Sequence, residues 1–276
     1  MTRFSVPDVH KCPACHGYVL WPNMKSFSTF GIETTWSDGA SPMGGMLDQS
    51  TARACPKCRA VLWKKDLEVL GTLISAPRPI GNLTRKLAVW FGDKYGYLRA
   101  EDEWAAIPAA WKEAEHGDRL EYTDMQRALL FIREPDRDRE MFLRRRIWWK
   151  TNDHIRRHPD GSPVTVEPVA PELERQANML RMIELHELAC SGYAERAELL
   201  RNLGLFEDAI RVLKSGASEI RSSSTAAWTL RWAKAGDADV RTFTNVPTVW
   251  SEVEEAMADG HAVPNYDRGV PQPKHV

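Results

Sequence analysis

The 276-residue sequence has no stretch of 18 apolar residues, so no helix is expected to span a bilayer. Its opening, MTRFSVPDVHKCPAC, lacks the apolar core of a secretory leader, and the expected compartment is the cytoplasm. Charge of one sign is also lacking. Against 37 Lys and Arg stand 38 Asp and Glu, a formal net charge of −1, so no global field favours nucleic acid or anionic lipid. Catalytic signatures are absent too: there is no Walker loop, dinucleotide fingerprint or nucleophile elbow. His186-Glu187 is followed at the decisive position by Cys190, where a metalloprotease helix needs a second His. Asp153 and His154 are adjacent in sequence, and adjacent helical residues do not face each other. The chain therefore reads as non-enzymatic.

Cysteine is scarce, with five in the whole chain. A disulfide framework belongs to short secreted chains. Four of the five form two C-x-x-C pairs, Cys12/Cys15 and Cys55/Cys58, and paired C-x-x-C in a reducing compartment points to a metal. Each pair presents two thiolates from one tight turn, and two such turns face to face complete the tetrahedron zinc prefers. Pro13 and Pro56 fix φ between the ligands. Gly17 is expected to let backbone amides turn toward the sulfurs, whereas Arg59-Ala60 stands in place of that glycine in the second copy. His10 and His16 flank the first pair, but four sulfurs already fill the shell. A closed shell of this kind is structural, because catalytic zinc keeps an open position. Cys190, on an apolar helical stretch, reads as a packed core thiol.

Over roughly residues 10–65 the chain resembles the zinc-ribbon superfamily. The resemblance implies a small β-ribbon with Cys12, Cys15, Cys55 and Cys58 as the ligands of one structural zinc ion. The departure is the gap: 39 residues separate Cys15 from Cys55. Phe30, Ile32, Thr34 and Trp36 alternate at period two, which predicts a strand in this insert, and Ser37-Asp38-Gly39 predicts a turn. Another strand is expected through Ala60, Val61, Leu62 and Trp63.

Residues 71–83, GTLISAPRPIGNL, read as a linker. From Leu83 the spacing turns helical, with Trp104, Ile107, Ala110 and Trp111 on one face. Thr123 is expected to cap a helix through Met125, Leu129 and Ile132, and a further helix is predicted over 137–157. The proline-rich run 159–171 marks a boundary, followed by predicted helices at 172–190, 193–203, 206–215, 224–235 and 248–258. The expected class is α+β, a β-rich zinc ribbon followed by a mainly helical region. The expected segments are 1–70, 71–158, 172–258 and a loose tail at 259–276. The eleven Trp are expected to fill cores between helices.

The stretch Tyr193 to Ile210 resembles a tetratricopeptide repeat. Tyr193 opens the first helix, Ala197 sits where helices approach, Gly204 makes the turn, Phe206 opens the second helix, and Ala209 and Ile210 pack back. Trp228, Trp232 and Ala235-Gly236-Asp237 echo it, with Gly204 and Gly236 32 residues apart and the repeat period near 34. An ordinary helical bundle with one repeat-like hairpin fits these residues equally. A repeat array would imply a concave surface for a peptide or protein. TFGIETTWSDG and RIWWKTNDHIRR also resemble segments of bacterial proteins with an N-terminal zinc ribbon and a helical C-terminal half, a likeness of architecture without an activity.

Residues 139–158 carry seven Arg or Lys against two acids. Arg144, Arg145, Arg146, Trp148, Lys150, Arg156 and Arg157 are candidate contacts to a partner or nucleic acid, since bases beside aromatics hold phosphates and stack nucleobases. The alternative is an internal contact with the C-terminal half, where residues 159–276 hold 18 acids and 12 bases. The sequence thus favours a protein-binding adaptor with one structural zinc ion, with nucleic-acid binding as the alternative. It names no membrane or small-molecule partner.

Overall fold

The computed structural model describes residues 3–26, 35–40, 51–93, 96–132, 136–157, 162–163, 165, 167–216 and 224–243. Of the expected strand at 30–36 only Thr35–Trp36 falls among them, and the helix at 248–258 and the tail at 259–276 lie outside them. In chain order the described elements are β1 (Arg3–Lys11), β2 (Tyr18–Ser26), β3 (Thr35–Trp36), β4 (Ala52–Ala54), β5 (Val61–Trp63), β6 (Gly71–Thr72), α1 (Asn82–Phe91), α2 (Tyr97–Ala106), α3 (Ala109–Lys112), β7 (Glu115–His116), α4 (Tyr122–Leu129), α5 (Arg137–Thr151), α6 (Glu172–Ala189), α7 (Tyr193–Asn202), α8 (Phe206–Ser215), α9 (Ser224–Lys234) and β8 (Thr242–Phe243). The chain is α+β and folds as two units. One takes 1–30 and 46–124, the other 31–45 and 125–276.

The first unit is built on two hairpins. β1 and β2 pair antiparallel, with His10 opposite Val19 and Lys11 opposite Tyr18. The register slips between Ser5 and Asp8, where Pro7 of β1 and Pro22 of β2 stand. Proline cannot donate to the ladder, so a bulge is where a strand tolerates it. β6 joins the free edge of β1 antiparallel, β7 joins β2 parallel, and the sheet order is β6-β1-β2-β7. The expected linker therefore begins as an edge strand. Gly71 is required there, because a Cβ would run into the Trp111 ring. β4 and β5 form the second hairpin. The core between the hairpins is small: Cys12, Val19, Trp21, Cys55 and Leu62, with Cys58 and Leu67 against it.

The second unit is a stack of helices. α5 packs on α6, α6 on α7, α7 on α8, and α9 on both α7 and α8. Turns of three residues, 190–192 and 203–205, make successive helices antiparallel neighbours. The core joins Trp148, Met179, Met182, Leu199, Leu213 and Leu230 with Ala197, Ala209, Ala226, Ala227 and Ala233. The small residues let helix axes approach while the long ones fill the remaining volume. α7, α8 and α9 fall where the periodicity places them, and α5 ends at Thr151, earlier than the expected 157. A two-residue ladder closes the unit: β3 pairs antiparallel with β8, Trp36 opposite Thr242.

Candidate metal centre

Each hairpin of the first unit carries one C-x-x-C at its tip. In the first, Cys12 N donates to Gly17 O at 2.8 Å and His16 N to Cys12 O at 2.9 Å. In the second, Cys55 N donates to Ala60 O and Arg59 N to Cys55 O, both at 2.9 Å. The two turns share one hydrogen-bond pattern. Both need a left-handed residue directly after the second cysteine, at His16 (φ 60) and Arg59 (φ 59). The glycine expected to provide that freedom is not the residue that uses it. Gly17 leaves room beside the Lys57 stem, whose Cδ would stand 3.0 Å from an added Cβ. The second turn lacks nothing. The left-handed conformation of Arg59 is held by its side chain, which donates to Asp118 Oδ2 at 2.6 Å and Asp124 Oδ2 at 2.5 Å.

These turns bring all four cysteines together. The four Sγ atoms lie within 4.8 Å of one another. Cys12 Sγ is 3.7 Å from Cys58 Sγ, and Cys15 Sγ 3.7 Å from Cys55 Sγ. A tetrahedron of sulfurs about 2.3 Å from a central ion has edges of about 3.8 Å, so the cluster fits one metal ion with four thiolate ligands. Cys12 and Cys55 are buried, while Cys15 is exposed. The environments act on the thiols in opposite directions. The Gly17 amide aimed at Cys15 lowers its pKa to about 7, whereas burial pushes Cys55 up to about 12. A metal cation offsets the cost of holding thiolates in that buried half. His10 is buried and bonds through Nδ1 to Glu68 O at 2.9 Å, and neither it nor His16 belongs to the cluster.

The basic candidates lie in the second unit, and most are engaged within it. Arg144 Nε donates to Glu140 Oε1 at 2.7 Å and its Nη1 to Asn178 Oδ1 at 3.3 Å. Arg145 makes a two-pronged bond to Glu195 at 2.5 and 2.7 Å. The Arg146 guanidinium lies against the Phe142 and Trp149 rings, 4.8 and 4.7 Å from their centroids. Trp148 is in the core, and Lys150 approaches Asp153 at 3.8 Å. Arg156 binds Asp38 and Asp153, and Arg157 Nη1 donates to His154 O at 2.8 Å. Cys190, expected in the core, is exposed at the end of α6.

The sequence reading missed a second cluster, a buried ionic one. Arg201 is fully buried and chelates Glu198 at 2.9 and 2.5 Å. Its remaining N–H groups reach Asp237 O at 2.5 Å, Asp239 O at 2.9 Å and Ser37 Oγ at 3.1 Å. Thr229 Oγ1 donates to Glu198 Oε2 at 3.1 Å. Each charge is paired and hydrogen-bonded, which is the condition for burying it. The only sequence signal was the i,i+3 spacing of Glu198 and Arg201, common on solvated helices. No family model, curated protein or solved structure matches this chain.

Proposed function

We propose that this chain is a non-catalytic protein-binding adaptor whose ribbon is held by one structural zinc ion. The four-sulfur cluster with its 3.7 Å edges carries the zinc assignment. Four thiolates in a tetrahedral cage suit zinc among the divalent ions of a cell. Four sulfurs fill the shell, so the ion polarises no substrate and its work is to hold the two hairpins together. Paired C-x-x-C thiolates on a metal suit a reducing, intracellular setting. Elemental analysis of purified protein tests the metal, with one equivalent of zinc expected. Less than half an equivalent, or iron in its place, refutes the assignment.

The binding role draws support from α1. Leu83, Leu87, Trp90 and Phe91 recur at helical spacing and all are exposed, Trp90 at 76% and Phe91 at 79%. An apolar helix face of this kind suits a protein partner. Replacing Trp90 and Phe91 together by Ala is expected to remove a stoichiometric partner from affinity-purified protein without changing its zinc content; retention of every partner contradicts the assignment. The nucleic-acid alternative loses much of its basis in the pairing of Arg144, Arg145, Arg156 and Arg157 to neighbours in their own unit. Salt-sensitive retention of labelled DNA or RNA at about 50 mM salt would restore it.

A further inference from the structure

Thr35–Ala40 lies between the two cysteine turns in sequence but belongs to the helical unit. It is held there as a bound peptide would be. Its backbone adds a strand to β8, and Ser37 N donates to Arg241 O at 2.7 Å. The Asp38 carboxylate is wholly buried and accepts from Arg156, from Asn152 Nδ2 at 3.1 Å and from Ala40 N at 3.0 Å. The Ser37 hydroxyl accepts from Arg201 Nη2 at 3.1 Å and from Arg241 N at 3.2 Å. The Arg156 guanidinium stacks 4.9 Å from the Trp36 ring centroid, and Trp149 Nε1 donates to Asp38 O at 2.7 Å. Within this six-residue segment, Ser37 and Asp38 thus supply acceptors to two buried arginines of the helical unit.

We infer that this segment is an anchor through which metal loading of the ribbon is linked to the stability of the helical unit, although no metal ligand comes from that unit. The link is made by the chain itself. The segment sits inside the loop of 39 residues between Cys15 and Cys55, and the metal fixes the ends of that loop. Docking six residues from a loop with fixed ends forfeits less chain freedom than docking them from an open one. The coupling is reciprocal: whatever holds the anchor in place also favours the closed loop and hence the metal. Loss of Cys12 or Cys55 then reaches the helices of the C-terminal half.

The inference rests on the zinc assignment, and the full-length protein tests the two separately. Zinc content is measured first. Amide hydrogen exchange is then compared between zinc-loaded and chelator-treated protein, and zinc retention against a chromophoric chelator is compared between wild type, Ser37→Ala and Asp38→Asn. Removal of zinc is expected to speed exchange in residues 143–152 and 198–202 by about tenfold. Both variants are expected to give up zinc about tenfold more readily. Ser37→Ala deletes one hydroxyl and keeps the measurement possible if Asp38→Asn does not fold. Bound zinc with unchanged helical exchange and unchanged retention in Ser37→Ala overturns the anchor and leaves the zinc assignment standing. Absence of zinc overturns both.

Discussion

Cys15 and Cys55 face one metal position from unlike surroundings, and their chemistry should part company once the metal is gone. In metal-free protein at neutral pH, Cys15, exposed and lowered to about 7, is expected to alkylate first, with Cys55, buried and pushed to about 12, the slowest of the four. Peptide mapping after timed iodoacetamide treatment reads the order, and equal rates would contradict it. Glu195 offers a pH test in the helical unit. Burial alone would raise it, but His186 and Arg145 outweigh burial and hold it at about 2, against an ordinary 4.5. Its folded pKa is depressed, so its contribution is complete above about pH 4.5 and is lost as pH falls toward 2. With 22% of the side chain exposed, that contribution is on the order of 2 kcal/mol. Urea melts of the wild type should weaken across this window, and Glu195→Gln should flatten the dependence. The four cysteines were legible because C-x-x-C spacing is itself the geometry of the turn. Asp38 was legible only as a turn residue, because its carboxylate is answered by Asn152 and Arg156, more than a hundred positions away.

Helix ends carry the clearest echo of a repeat. α6, α7 and α9 all finish on one motif: a left-handed residue follows the helix, and the next amide reaches back to a carbonyl five residues earlier. These bonds are Ser191 N to His186 O at 3.2 Å, Leu205 N to Leu200 O at 2.9 Å and Asp237 N to Trp232 O at 3.0 Å. The left-handed residues are Cys190, Gly204 and Gly236. Glycine adopts that conformation without penalty, whereas cysteine carries a Cβ against it. Cys190→Gly is therefore expected to stabilise the helical unit by about 1 kcal/mol in chemical denaturation; destabilisation would mean that the thiol has a packing role after all. Gly204 and Gly236 gave the helix ends away in the sequence, and Cys190 disguised a third. Strands were harder to see than helices. β1 and β2 each hold a proline, and the bulge that accommodates Pro7 and Pro22 breaks the alternation that marks a strand.

At the scale of the molecule, the sequence shows a ribbon, then helices, and that order of classes holds. What linear reading cannot supply is membership: the described residues 35–40 belong to the unit of the helices, and those from 51 to 124 to the unit of the cysteine turns. Ser37, Asp38 and β3 pair with residues 111 to 208 positions further on, and no local spacing announces such pairs. A fragment starting at Met125 keeps Arg156 and Arg201 but loses Ser37 and Asp38. Removing one partner of a buried ion pair costs about 3–5 kcal/mol. The fragment is expected to unfold at clearly lower urea than the intact helical unit and to recover part of the difference when a peptide covering 31–45 is added. A midpoint equal to that of the intact protein would show the segment to be dispensable.

The same interleaving bears on how such a chain can be inherited. The two cysteine turns have the look of a cassette for recombination to lift from one gene into another, yet the stretch between them belongs to a different body. A donor that surrendered residues 1–70 would leave Arg156 without the Asp38 carboxylate, and a recipient would gain a loop shaped for a seat it does not possess. Separating ribbon from helices by such a cut therefore costs the helical body part of its own structure.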